Sequence, residues 1–256
     1  MIKVVFFDID GTLLSQQANR VPASARAAVR ALRQQGIRVV VATGRHPIEL
    51  DGAGLGDLEF DGFAAANGQM CLDEQGMLFA GYPIPSHGVQ ALVDLAERDE
   101  MLIWFFGEQD SYVYRKDADL FAMSAQVGGF VPQIRRYAGD AVYQAVAFVS
   151  EQDEPALARR LPGCRLQRWG SEGVDIIAHD GGKVEGMKAF LRRFGCTREE
   201  CMAFGDQHND LDMLRFAGVG VAMGNGTPQV KAAADFVTRS VDEDGVAYAL
   251  QQLGIL

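Results

Sequence analysis

Ile2-Lys3-Val4-Val5-Phe6-Phe7-Asp8-Ile9-Asp10-Gly11-Thr12-Leu13 decides the fold of this chain. Apart from Lys3, the side chains from Ile2 to Phe7 are β-branched or aromatic, with almost no polar alternation. That pattern belongs to a strand buried on both faces of a parallel sheet. The strand runs straight into two carboxylates. Residues two apart in extended chain share a side, so Asp8 and Asp10 are presented together where the strand ends. Gly11 permits the chain to turn away at once. In an open parallel sheet, ligands bind beyond such carboxyl ends.

Outward from this strand, the segment after Pro22 predicts a helix from Ala23 to Gln35, with Ala28, Val29 and Leu32 at helical spacing and Gly36 as its stop. A second buried strand is expected at Ile37 to Val41, completing a βα unit of a doubly wound sheet. The C-terminal third repeats the rhythm. A helix is expected from Lys183 to Phe194, a strand at Met202 to Phe204, a helix after Asp210, a strand at Val219 to Ala222 and a helix after Pro228. Between Pro83 and Asp180 the pattern changes to short strands and turns. Leu102 to Phe106 and Ser111 to Arg115 read as a hairpin, and Tyr143 to Val149, Arg165 to Arg168 and Val174 to Ala178 add strands. The fold class is therefore α/β. A Rossmann-like doubly wound parallel sheet core is expected from residues 1–82 and 181–256, with an α+β domain inserted at 83–180. Gly81-Tyr82-Pro83 and Asp180-Gly181-Gly182 are the joins.

Composition limits the partners. With 34 acidic against 24 basic residues, a formal net charge of −10, the 256-residue chain repels phosphate backbones and anionic lipid surfaces. Nucleic acid and membrane are excluded as expected partners; a small phosphorylated metabolite is compatible where a metal ion reverses the local field. The N-terminal apolar run is too short for a secretory signal and no stretch reaches transmembrane length. Cys71, Cys164, Cys196 and Cys201 lack zinc-site spacing and read as reduced packing residues, which points to a cytoplasmic setting. Nothing in the sequence fixes an oligomeric state.

Three strand ends carry reactive groups: Asp8 and Asp10, then Thr43-Gly44-Arg45, then Gly205-Asp206. An ionised Asp8 can attack phosphorus to give an acyl phosphate. Asp10 is placed to protonate the leaving oxygen and later to deprotonate the attacking water. Thr43 offers a hydroxyl and a backbone N–H to a phosphoryl oxygen, and Gly44 lets the backbone approach closely. Lys183, read as an exposed cation at a helix N-terminus, opposes the helix dipole unless an anion answers it. It is assigned to the nucleophile and the phosphoryl oxygens. Asp206 and Asp210 lie four residues apart across a strand-to-helix turn and can converge on one Mg²⁺. Asn209 would donate to the phosphoryl group from the adjacent helix start. Each piece alone also suits a turn, a helix cap or a surface lysine; their order at successive strand ends favours catalysis. Arg115 and Arg168 are candidates for a second anionic group of the substrate. Asn67 and Asn225 read as turn residues or as supports.

Asp8-x-Asp10-Gly11-Thr12-Leu13, Thr43-Gly44-Arg45, Lys183 and Gly205-Asp206-x-x-Asn209-Asp210 together resemble the haloacid dehalogenase-like superfamily of aspartate-nucleophile phosphatases. The long insertion, with Ala66-Asn67-Gly68 and Met223-Gly224-Asn225, resembles the Cof-like sugar-phosphate phosphatase branch and its α+β cap domain. The resemblance implies Asp8 as nucleophile and Asp10 as acid/base. It also implies Mg²⁺ bound by the Asp8 side chain, the Asp10 backbone carbonyl and Asp206, with Asp210 acting directly or through water. One position departs from the pattern: Val184 follows the lysine where glycine is common, with a glycine at Gly186. The implied activity is hydrolysis of a small phosphorylated metabolite, sugar phosphates foremost. A phosphomutase using the same aspartate pair is the enzymatic alternative, and a non-catalytic metabolite-phosphate sensor the alternative of another class.

Overall fold

The N-terminal strand is β1 (Val4–Phe7), buried at all four positions in a computed structural model that describes residues 1–116, 118, 120, 121, 124, 131–169 and 173–256. Helix α1 (Ala23–Gln34) follows, then strands β2 (Arg38–Ala42), β3 (Gly62–Ala65), β4 (Met70–Asp73) and β5 (Leu78–Gly81). The chain continues through α2 (Ser86–Glu97), β6 (Ile103–Phe106), β7 (Ser111–Val113), β8 (Gln133–Ile134), β9 (Gln144–Phe148), α3 (Glu154–Arg160), β10 (Cys164–Arg168) and β11 (Gly173–Ala178). It ends with α4 (Lys183–Phe194), β12 (Cys201–Gly205), α5 (Leu211–Phe216), β13 (Val219–Ala222), α6 (Pro228–Ala233), β14 (Phe236–Val237) and α7 (Gly245–Gln252). These elements divide into two compact units, Met1–Gly81 with Gly182–Leu256, and Tyr82–Gly181.

In the first unit the strand order is β14-β13-β12-β1-β2-β3-β4-β5, with β1 flanked by β12 and β2. One sheet face presents Val5, Phe7, Val39, Val41, Met202 and Phe204 to apolar residues of α1 and α7, among them Val29, Leu32, Val246 and Leu250. On the opposite face Phe6 meets Phe190 of α4 edge to face, centroids 6.4 Å apart. Cover on both faces is why β1 is apolar throughout. Truncating one such phenylalanine would cost about 3–5 kcal/mol. Because β1, β2 and β12 run parallel and in register, Asp8, Thr43 and Asp206 follow at neighbouring strand ends.

The expected α/β core sheet is present, and it carries an antiparallel edge that the sequence pattern does not predict. From β14 to β3 the strands are parallel, but β4 and β5 pair antiparallel at the edge. Ala65 pairs with Met70, so four residues reverse the chain, too few for a crossover helix. Gly62-Phe63-Ala64-Ala65 has weak strand propensity, which hid this hairpin in the sequence.

The second unit has the strand order β10-β11-β9-β6-β7-β8, antiparallel except between β7 and β8. Ile103, Phe105, Tyr112, Ala145, Ala147, Val174 and Ile176 share a core with Leu92 of α2 and Leu157 of α3. The alternate positions Trp104, Phe106, Ser111, Gln144 and Asp175 fall on the other face and are buried too. Arg168, a candidate for anion binding, is committed to Glu154 (2.8 Å) and to the Val149 carbonyl (2.9 Å). Arg115 is paired with Asp99. Among the described residues no helix is long and apolar enough to cross a membrane.

Candidate active site

Lys183 is 2% exposed, not the surface cation that its place at a helix start implied. Its Nζ donates to Asp8 Oδ1 and to Asp210 Oδ1, each at 2.6 Å. The two carboxylates answer the helix dipole, so a buried ammonium at this end of α4 is tolerated. Asp210 has little capacity left: its Oδ2 accepts the backbone N–H groups of Asp206 (2.9 Å) and Gln207 (3.0 Å). Asp206 Oδ1 accepts the Thr12 hydroxyl at 3.0 Å, and its Oδ2 accepts the Gln207 amide at 3.1 Å and the Asn225 amide at 3.4 Å. Asn225 also donates to the Gly11 carbonyl (2.8 Å) and accepts from Val241 N–H (2.9 Å), which makes it a brace between two loops. Gly11, at φ +85°, has no room for a side chain because a Cβ would overlap the Asp206 carboxylate.

Asp10 shares the strand end with Asp8 but makes a different contact. Arg45 grips its carboxylate with both arms of the guanidinium, Nε to Oδ2 at 2.9 Å and Nη2 to Oδ1 at 2.7 Å. A planar fork on a planar carboxylate fixes orientation as well as charge. The Thr43 backbone N–H was expected to serve a phosphoryl oxygen, yet it donates to the Ala64 carbonyl at 3.0 Å as part of the sheet. The Thr43 hydroxyl oxygen accepts from Arg45 N–H at 3.1 Å, which leaves its proton to donate. Among the described residues the Gly44 N–H makes no hydrogen bond, so of these two backbone N–H groups it is the one left to donate.

Charge within the cluster is unbalanced. Burial works against the Lys183 ammonium, but Asp210 and Asp8 outweigh it and hold the lysine protonated beyond the usual range. Burial first, then the charges of Asp210, Asp206 and Asp10, push the Asp8 carboxyl well up, with Lys183 opposing. Asp206 is pushed up to about 6 by burial and by Asp210, against its hydrogen bonds from Thr12 and Gln207. One ammonium cannot neutralise three buried carboxylates. Asp8, Asp206 and Asp210 offer oxygens within 4.8 Å of one another, an all-oxygen donor set that suits a hard divalent cation. A metal ion therefore fits the residues present.

Beside these groups, the four-residue turn between β3 and β4 has an uncommon backbone. Ala66 (φ +50°), Asn67 (φ +55°) and Gly68 (φ +81°) are all left-handed. Only glycine enters that region freely; other residues are disfavoured by about 1–2 kcal/mol each. Such strain collects at functional sites. Asn209 reaches this turn, its Nδ2 donating to Asn67 Oδ1 at 3.2 Å. The roles of Thr12, Gln207 and the Arg45 fork were not readable beforehand, since each depends on a partner distant in sequence.

Comparison with known proteins agrees with this geometry. The family profile of haloacid dehalogenase-like hydrolases matches residues 5–250. YkrA of Bacillus subtilis (strain 168), whose name designates an inferred phosphatase, is 34% identical over 259 residues, covering 99% of this chain and 98% of that protein. BT1666 of Bacteroides thetaiotaomicron, a phosphatase of the same superfamily, superposes with a TM-score of 0.91 at 30% identity, covering 100% of this chain and 96% of that one. The subclass IIB sugar phosphatase BT4131 gives a TM-score of 0.87 at 32% identity, over 99% of this chain and 100% of that one. The chain belongs to the haloacid dehalogenase-like hydrolases, in their Cof-like branch, and is a phosphatase.

Proposed function

We propose that this phosphatase hydrolyses small phosphorylated metabolites, sugar phosphates foremost, through an aspartyl phosphate on Asp8, with Mg²⁺ as its cation. The supporting observation is the buried cluster in which Lys183 is held between Asp8 and Asp210, with Asp206 alongside. A carboxylate oxygen of Asp8 attacks phosphorus, the bond to the leaving oxygen breaks, and Asp10, protonated and turned from Arg45, supplies that oxygen with a proton. In the second half Asp10 takes a proton from water, the water oxygen attacks phosphorus, and the bond to Asp8 breaks to release inorganic phosphate. The Thr43 hydroxyl, the Gly44 N–H, the Asn209 amide and Lys183 receive the phosphoryl oxygens.

Mg²⁺ would be held by the Asp8 and Asp206 carboxylates and the Asp10 carbonyl, adding positive charge where the phosphoryl group becomes more negative. Asp210, whose oxygens also accept from Lys183 and two backbone N–H groups, is assigned to the same cation directly or through water. Sugar phosphates lead because of the likeness to the subclass IIB sugar phosphatase. The inserted domain, residues 83–180 in the sequence reading, is assigned the choice among leaving groups.

The test is a panel of phosphorylated metabolites ranked by kcat/KM with Mg²⁺ and with a chelator. Phosphate release is expected to be fastest from sugar phosphates, to require the cation, and to fall by at least ~10³-fold in Asp8→Asn. Undiminished turnover in that variant, or isomerisation of a sugar phosphate without phosphate release, would overturn the proposal.

A further inference from the structure

The turn Ala66–Asn67–Gly68 is buried, bears no group that reacts, and yet holds its backbone left-handed at three successive residues. Its contacts reach three parts of the site. Ala66 N–H donates to the Arg45 carbonyl and Asn67 N–H to the Thr43 carbonyl, both at 2.8 Å. These bonds fix the loop that carries the Thr43 hydroxyl and the Gly44 N–H. The Asn67 side chain accepts from the Asn209 amide at 3.2 Å. The next residue, Gln69, accepts the Gly182 N–H at 2.9 Å, directly before Lys183.

Close packing locks the turn in place. A Cβ at Gly68 would come within 2.5 Å of the Gly182 carbonyl oxygen, and one at Gly186 within 3.0 Å of Gly68 Cα. Gly186, which stands two residues after the expected glycine position, therefore lets α4 rest on this turn. A right-handed conformation at Ala66 and Asn67 would redirect both N–H groups and swing the Asn67 amide away from Asn209. Among the described residues, Ala66 and Asn67 are the one place where two successive non-glycine residues are left-handed, and they lie in the stretch whose shape sets the donors.

We propose that Asn67 is a positioning residue for phosphoryl binding: the left-handed turn presents the Asn67 side-chain Oδ1 so that one Asn209 amide proton is held and the other is aimed at a phosphoryl oxygen. The inference rests on the reading of Asn209 as a phosphoryl-oxygen donor. Asn67 itself touches no reacting atom.

The experiment is a double-mutant cycle of Asn67→Gly and Asn209→Ala. It is read as KM and kcat for p-nitrophenyl phosphate and as the inhibition constant of inorganic phosphate. Asn67→Ala serves as a second variant. Glycine adopts the left-handed backbone freely and alanine only at a cost, as Ala66 does, so Asn67→Ala should have the lower Tm while both lose affinity alike. Each is expected to raise KM and the phosphate inhibition constant about tenfold, the weight of one hydrogen bond, with a smaller effect on kcat. In the Asn209→Ala background the further change should be under about twofold.

Undiminished loss in that background, or Asn67→Gly with parental constants while Asn209→Ala is impaired, would overturn the role of Asn67. Parental constants in Asn209→Ala would instead remove the donor reading of Asn209 beneath it.

Discussion

The two units differ in how fully their buried polar groups are satisfied. In the first, the Thr12 hydroxyl and the Asp206, Asp210 and Lys183 side chains are buried and bonded to one another or to backbone. In the second, the Ser111 hydroxyl and the side-chain oxygen of Gln144 are buried with no hydrogen-bond partner among the described residues. They lie on the sheet face opposite α2 and α3, one on each side of Phe106 in the register. A satisfied network in low dielectric is rigid, and rigidity is what phosphoryl transfer requires of its donors. An unsatisfied oxygen stabilises nothing in the folded chain. The contrast separates the unit that holds the carboxylate–lysine cluster from one whose buried polar side chains are in part without partners among the described residues.

Removing a charge from the first unit should do the most damage. Lys183→Met leaves Asp8 and Asp210 buried without their cation, and a loss of about 3–5 kcal/mol in urea unfolding is expected at neutral pH. A loss below about 1 kcal/mol would mean that the carboxylates find other partners and the network is not tight.

Next in size is a pH effect in the metal-free protein. The Asp206 carboxyl sits at about 6 when folded, against an ordinary carboxylate near 4. Between those values the folded chain binds more protons than the unfolded one, so this group's contribution falls as pH rises through the window. Below about pH 4 both states are protonated; above about 6 the full penalty, roughly 2–3 kcal/mol, is present. Thermal unfolding of the parent and of Asp206→Asn should diverge in slope across that window. Excess Mg²⁺ should restore the parent, since a cation relieves the same repulsion. Parallel slopes without metal would contradict the charge imbalance.

The smallest effects compare the units directly. Thr12→Val removes a hydroxyl that bonds a carboxylate, for an expected loss of about 1.5–2 kcal/mol. Ser111→Ala removes one that bonds nothing among the described residues, for an expected change between zero and about 1 kcal/mol of added stability. Equal losses in denaturant titrations would erase the distinction.

How much the sequence disclosed follows the same division. β1 was legible because a strand covered on both faces must be apolar throughout, and α4 because one apolar stripe runs from Val184 to Phe194. Asp8, Asp206 and Asp210 were legible because their spacing placed carboxylates at successive strand ends. The burial of Lys183 was not, since a lysine at a helix start is exposed unless carboxylates far away in sequence cover it. Nor was the left-handed turn: Ala66 has no preference for such a backbone, and the bonds to Arg45 and Thr43, with the close packing at Gly68, hold it there. The antiparallel edge was hidden by a strand of glycine, phenylalanine and two alanines. Local pattern reveals elements and motif residues; it does not reveal which distant partner completes a hydrogen bond.

The central claim is covalent attachment of phosphate to Asp8. Rapid acid quench of the Mg²⁺-loaded enzyme during turnover, followed by peptide mapping, tests it most directly. Phosphate should be found on the peptide containing Asp8, form within the first turnover, accumulate in Asp10→Asn with p-nitrophenyl phosphate, whose leaving group needs no proton, and vanish in Asp8→Asn. Turnover with no phosphoenzyme at any quench time and inversion of configuration at phosphorus, or phosphate carried by another residue, would contradict the account.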